Sequence, residues 1–122
     1  MRVNIEKENS MMNRSCVVVD SHKRLRETLC EWLRLEFTDI DFYGTATGTE
    51  AIRLTNDHHP CLLISEIELK DMSGFDVVRQ IKRQTLETKC ILFSMRDDKK
   101  YRDTAESLDV FKFIPKKSIY YE

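Results

Sequence analysis

Four short apolar runs in this chain each stop on a polar residue, with helix-patterned segments between them. Cys16-Val17-Val18-Val19 ends in Asp20 and Cys61-Leu62-Leu63-Ile64-Ser65 in Glu66. Cys90-Ile91-Leu92-Phe93 ends in Ser94, and Phe111-Lys112-Phe113-Ile114-Pro115 in Lys116. Runs this short and this apolar read as strands buried on both faces, the habit of parallel sheets. In such sheets the strand ends share one edge, and ligands bind outside it. The pattern thus predicts two carboxylates, a hydroxyl and an ammonium in one crevice.

The segments between the runs complete the alternation. Leu25, Leu29, Trp32 and Leu33 fall at i, i+4, i+7 and i+8, which predicts a core-facing stripe on a helix near 22–36 with Ser21 as its N-cap. Trp32 is read as packing. A short strand follows at 40–44, and Thr47-Gly48-Thr49-Glu50 has the form of a capping box that opens a helix through Asn56. His58-His59-Pro60 forces a turn. Further helices are expected at 75–83, with Phe75, Val78, Ile81 and the Lys82 stem inward, and near 97–107. Five βα units with right-handed crossovers suit an α/β, doubly wound, flavodoxin-like parallel sheet of order 2-1-3-4-5. Its switch point lies between strands one and three, where Asp20 and Glu66 would be neighbours.

Composition narrows the function. At 122 residues the chain is one domain, read as a polar leader over 1–13 and a folded unit over 14–122, with Met11 or Met12 as alternative starts. A net charge of −1 gives no electrostatic reason for this domain alone to bind nucleic acid or a membrane. Lys23-Arg24-Leu25-Arg26 reads as a solvated helix face. No apolar run reaches the ~20 residues of a spanning helix, and the leader is too polar for a signal peptide, so a cytoplasmic location is expected. The four cysteines, without a C-x-x-C, read as buried free thiols. His58 and His59 lack a carboxylate or thiol cluster for a metal. Ser21 beside His22 is a sequence neighbour and not a catalytic dyad, and His22-Lys23-Arg24 occupies the place of a glycine-rich phosphate loop. No enzyme activity is expected.

Several motifs together resemble the receiver domain of bacterial response regulators, over residues ~15 to the C-terminus. Val17-Val18-Val19-Asp20-Ser21-His22 is similar to the family's first strand, which normally ends in two acidic residues, often followed by His. Glu66-Ile67-Glu68-Leu69-Lys70-Asp71-Met72-Ser73-Gly74 resembles D-x-x-M-P-x-x-[DS]-G. Leu92-Phe93-Ser94-Met95 resembles the strand-four Thr/Ser and small residue. Phe113-Ile114-Pro115-Lys116 resembles the strand-five aromatic and lysine, and Thr47-Gly48-Thr49-Glu50-Ala51 the start of the second helix.

The resemblance implies a phosphorelay device of the two-component type. In such domains an Asp accepts a phosphoryl group from a histidine kinase, with Mg²⁺ bridging it to the strand-one acids. The hydroxyl and lysine then bind the group and bias the face of helix four, strand five and helix five. Here Glu66 stands at the acceptor position and Ser21 at the second acidic one, with Lys70 for the loop Pro and Met95 for the small residue. Glu places its carboxylate more than ~1 Å from an in-line position, a misplacement that can cost ~10²-fold. Ser21 removes one formal charge from the cation site.

These departures imply an atypical receiver acting as a protein-interaction module. Glu66 is expected to pair with Lys116 and accept a hydrogen bond from Ser94, with Phe113 as the aromatic switch counterpart. No cofactor is expected, Mg²⁺ at Asp20 and Glu66 being the weak alternative. The partner is a histidine kinase or another signalling protein. Lys117–Glu122 is too short for a full fifth helix, which would uncover apolar surface near Phe111, Phe113, Ile119 and Tyr120. Truncation, or a homodimer through the face of helix four, strand five and the C-terminus, would account for it. A working phosphoacceptor with Asp20 supporting metal, and an unrelated flavodoxin-like ligand-binding domain, stay open.

Overall fold

The computed structural model describes residues 14–84 and 87–115. Strands β1 (Ser15–Val19), β2 (Asp41–Thr45), β3 (Leu62–Glu66), β4 (Lys89–Ser94) and β5 (Lys112–Pro115) alternate with helices α1 (Lys23–Glu36), α2 (Gly48–His58), α3 (Gly74–Gln84) and α4 (Lys99–Ser107). All strand pairs are parallel and the order is β2-β1-β3-β4-β5. This is the doubly wound order expected from the alternation.

Side-chain alternation along the strands builds two cores. Val17, Val19, Leu63, Cys90 and Leu92 pack with Ala51, Val77, Val78, Ile81 and Ala105, under α2, α3 and α4. Cys16 and Val18 pack with Leu29, Cys30, Leu33 and Phe42, under α1. Loss of a side chain such as Leu63, fully buried, would cost about 2–5 kcal/mol.

Three local readings are corrected. Trp32 is 54% exposed and lies outside the core. At ~100° per residue the buried Leu29, Cys30 and Leu33 centre roughly 110° from Trp32, so Trp32 sits on the shoulder of the stripe. The N-cap of α1 is His22 and not Ser21, and its side chain makes no capping bond; Asp20 Oδ1 accepts the His22 N–H at 2.9 Å instead. Cys61 is exposed at the strand's edge, whereas Cys16, Cys30 and Cys90 are buried; all four thiols are free.

Other elements form as their sequences require. Thr47 caps α2, its hydroxyl accepting from Glu50 N–H at 3.2 Å. The helix runs to His58, beyond Asn56, and ends where His59 turns left-handed (φ 47°) before Pro60. Phe75, Val78 and Ile81 are buried as expected, and the half-buried Lys82 carries its ammonium to Asp109 O at 3.1 Å. Asp98 caps α4 by accepting from Tyr101 N–H at 2.9 Å.

Candidate functional site

The switch point forms where β1 and β3 lie side by side, with Val19 opposite Ser65. The next residue on each strand carries a carboxylate. Asp20 is fully buried and Glu66 is 2% exposed. Both follow the strand parity of Val18 and Ile64, which packs under α1, so both side chains are delivered to that side of the edge. Arg26 of α1 donates to Asp20 O at 2.7 Å and ties the helix to the strand end.

His22 completes the cluster. Its Nδ1 lies 3.2 Å from Asp20 Oδ1 and 3.8 Å from Glu66 Oε2, while the ring itself is 64% exposed. One ligand-type atom from each of the three residues falls within 4.8 Å of the others. Ser21 sits between them in sequence, half-buried with its hydroxyl oxygen enclosed. An imidazole lidding two buried carboxylates was not assigned a role from sequence. The His after Asp20-Ser21 was its only signal.

Glycine positions Glu66 from below. A Cβ on Gly74 would stand 2.3 Å from Glu66 O, so only glycine lets α3 start this close to the end of β3. Gly74 N–H donates to Ile67 O at 2.8 Å, and a bridge between Glu68 and Ser73 closes the loop.

Ser94 belongs to a different group. β4 sets Phe93 opposite Glu66, so Ser94 follows the parity of Cys90 and Leu92, toward α4. Its hydroxyl donates to the Glu68 carboxylate, at 2.9 and 3.0 Å, and the bond expected to Glu66 is not made. Ser94 Oγ also accepts from Arg96 N–H at 3.0 Å. Arg96 stacks over Tyr101 with its guanidinium carbon 4.3 Å from the ring centre. Burial raises the Tyr101 hydroxyl's pKa, and its hydrogen bond with Glu68 raises it further. Glu68 and Tyr101 line a groove of about 480 Å³ with Leu69, Met72 and Phe75.

Asp71 anchors the same loop from its far side. Its carboxylate accepts from Gly48 N–H (2.9 Å), Thr49 N–H (3.0 Å) and Thr49 Oγ1 (2.8 Å), at the N-terminus of α2. Partial burial pushes the Asp71 carboxyl up, but the two backbone donors and the hydroxyl outweigh it and hold it below the usual range. An Asp five residues past Glu66 carries no sequence sign of where its partner lies.

Phe113 is half-buried against the core under α4. Phe111 is 61% exposed, with Lys89 Nζ 4.9 Å above its ring. Lys116, Ile119 and Tyr120, and with them the expected Glu66–Lys116 pair, the uncovered edge and the short fifth helix, lie outside the described residues. Among the described residues no helix is long and apolar enough to cross a membrane.

The chain is 28% identical over 88 residues to the transcriptional regulatory protein LiaR of Bacillus subtilis, covering 70% of this chain and 41% of that protein. It spans less than half the length of such curated relatives. The signal receiver domain of the response regulator NarL from Mycobacterium tuberculosis superposes with a TM-score of 0.77 at 23% identity, over 85% of this chain and 84% of that one, a likeness of fold. The response regulator TrrA of Thermotoga maritima, solved with Mg²⁺ and BeF, gives 0.74 at 25% identity over 84% and 85%. The family model for the response regulator receiver domain matches residues 16–119, and by that match, on this sheet and this acidic edge, the chain belongs to the response regulator receiver domain family.

Proposed function

We propose that this receiver serves two-component signalling as an interaction module that is not switched by phosphorylation of Glu66. The observation that supports it is the setting of Glu66, which is 2% exposed and faces Asp20 and His22. An acceptor must present an oxygen in line with an incoming phosphoryl group, and catalysis of that transfer is almost wholly positioning and charge neutralisation. A buried, lengthened carboxylate lidded by an imidazole offers neither. Glu66 would thus hold the acceptor's place, with Ser94, Phe113 and Lys116 as the counterparts of the phosphate-sensing residues. The Glu68–Ser94 bond supports the same reading, because the hydroxyl that would bind a phosphoryl oxygen already has a carboxylate partner.

Magnesium, which the family implies, fits this donor set poorly. Mg²⁺ demands near-octahedral oxygen ligands at ~2.0–2.1 Å and sheds its waters reluctantly. Asp20 and Glu66 are enclosed, Ser21 brings no charge, and the further side chain grouped with the two carboxylates among the described residues offers the nitrogen of His22. The proposed partner is a histidine kinase or another signalling protein in the cytoplasm, and a homodimer through the face of α4, β5 and the C-terminus is the other proposed association.

Intact mass after incubation with a small-molecule phosphodonor and Mg²⁺ tests the reading, with Ser21→Asp/Glu66→Asp run beside the native chain. The expected result is an unmodified native chain and a phosphoryl adduct on the double variant. An adduct on native Glu66 would overturn it.

A further inference from the structure

We infer that the outer face of α1 is a docking surface for a second copy of this chain, which packs against it antiparallel. Leu25, Thr28, Trp32 and Leu35 follow one another at steps of three, four and three, the spacing of the seam between two packed helices. At ~100° per residue the four centre roughly 130° from the buried Leu29, Cys30 and Leu33, so the stripe faces away from the sheet. Leu25 is half-buried and Thr28 exposed, while Trp32 is 54% and Leu35 75% exposed. Apolar side chains exposed singly are ordinary, but here they form a row, and tryptophan is enriched among the side chains that anchor interfaces.

Charge selects the occupant and its direction. Arg26 and Arg34 are engaged inside the domain, at Asp20 O and Phe42 O, and Lys23 lies 3.9 Å from Glu27. Beside the stripe stand Arg24 in the first turn and Glu31 two turns later. A parallel copy would set Arg24 against Arg24 and Glu31 against Glu31. An antiparallel copy sets Arg24 beside the second copy's Glu31 on both sides of a two-fold axis, a self-complementary arrangement. Each Trp32 then meets the other copy's Leu25, with the small Thr28 at the crossing. Opposed helix dipoles favour the same direction. This surface lies across the sheet from α4 and goes beyond both the association through α4 and β5 and the reading of Glu66.

Analytical ultracentrifugation of the full chain tests the interface, with the emission of Trp32, its single tryptophan, followed over the same concentrations. The expected result is a dimer that forms as concentration rises while the emission moves to shorter wavelength. Thr28→Lys sets two ammoniums across the axis from an exposed position and should weaken association more than about tenfold. Arg24→Glu and Glu31→Arg should each weaken it severalfold, and an equimolar mixture of the two should regain the native affinity. Phe111→Ser, just before β5 and 61% exposed, should leave it unchanged. Circular dichroism shows that each variant is folded. A chain that stays monomeric up to ~1 mM, native-like association in Thr28→Lys, or a dimer whose Trp32 emission does not move would overturn the proposal. So would a dimer lost in Phe111→Ser and kept in Thr28→Lys, which would place the contact at β5. Phosphodonor mass shifts report on Glu66 alone, so the failure of either reading is seen separately from the other.

Discussion

Glu66 and Glu68 are the same side chain two residues apart, yet they live in different media. Glu66 closes β3 and is walled in by Asp20, His22 and the glycine that starts α3. Glu68 lies on the loop, exposed, and reaches across to Ser94 and Tyr101. Residues of equal parity would normally share a face. The chain leaves the strand at Ile67, whose N–H still bonds Phe93 O at 2.9 Å, so Glu68 no longer obeys the strand's alternation. One carboxylate therefore closes the strand at the acidic edge while the other engages the Ser94 hydroxyl.

The contrast between enclosed and exposed groups is sharpest for the thiols. Burial pushes the Cys90 thiol up to about 11 from 9.0, which leaves roughly a hundredfold less thiolate at any pH below both values. Cys16 and Cys30 are raised by burial as well. A thiol-specific reagent at pH 8 is expected to label Cys61 at once and the other three only on unfolding. Rapid labelling of Cys90 would mean that the sheet opens readily.

The wall behind Glu66 is tested by Gly74→Ala, since its Cβ would meet Glu66 O at 2.3 Å. Overpacking against backbone should cost about 3 kcal/mol by denaturant unfolding, and an unchanged midpoint would show that the β3–α3 turn yields freely. Asp71→Ala loosens only the loop that carries Glu68, and should cost about 1 kcal/mol, at the low end because the carboxylate is exposed. The folded Asp71 carboxyl sits below its unfolded value, so its contribution is complete above the unfolded pKa and is lost as pH falls through the folded one. Stability of the variant that declined with acid as steeply as the native chain's would assign that slope to other groups. Glu68→Ala has the smallest expected effect, under ~0.5 kcal/mol. Its signature is a shift of the Arg96 amide resonance, because that N–H shares Ser94 Oγ with Glu68. An unmoved resonance would show that Ser94 is held without Glu68.

What the sequence by itself determined was everything carried by periodicity. Apolar runs of strand length between helix-period segments are enough to set the βα alternation, and the handedness of the crossovers follows from chain sterics. Polar residues closing those runs marked the sheet edge, and Thr47 announced a cap through its own chemistry. Only the tertiary structure decided the rest. Trp32 lies outside the core because the centre of a helix's buried face depends on where the sheet meets it. Ser94 bonds Glu68 because register, a relation between strands, sets which side chains face one another. Asp71 finds the N-terminus of α2 across 23 residues of chain, and His22 finds Glu66 across the switch point. Local sequence encodes what a residue prefers, but these partners meet through packing of distant segments, and that geometry exists only once the sheet has closed.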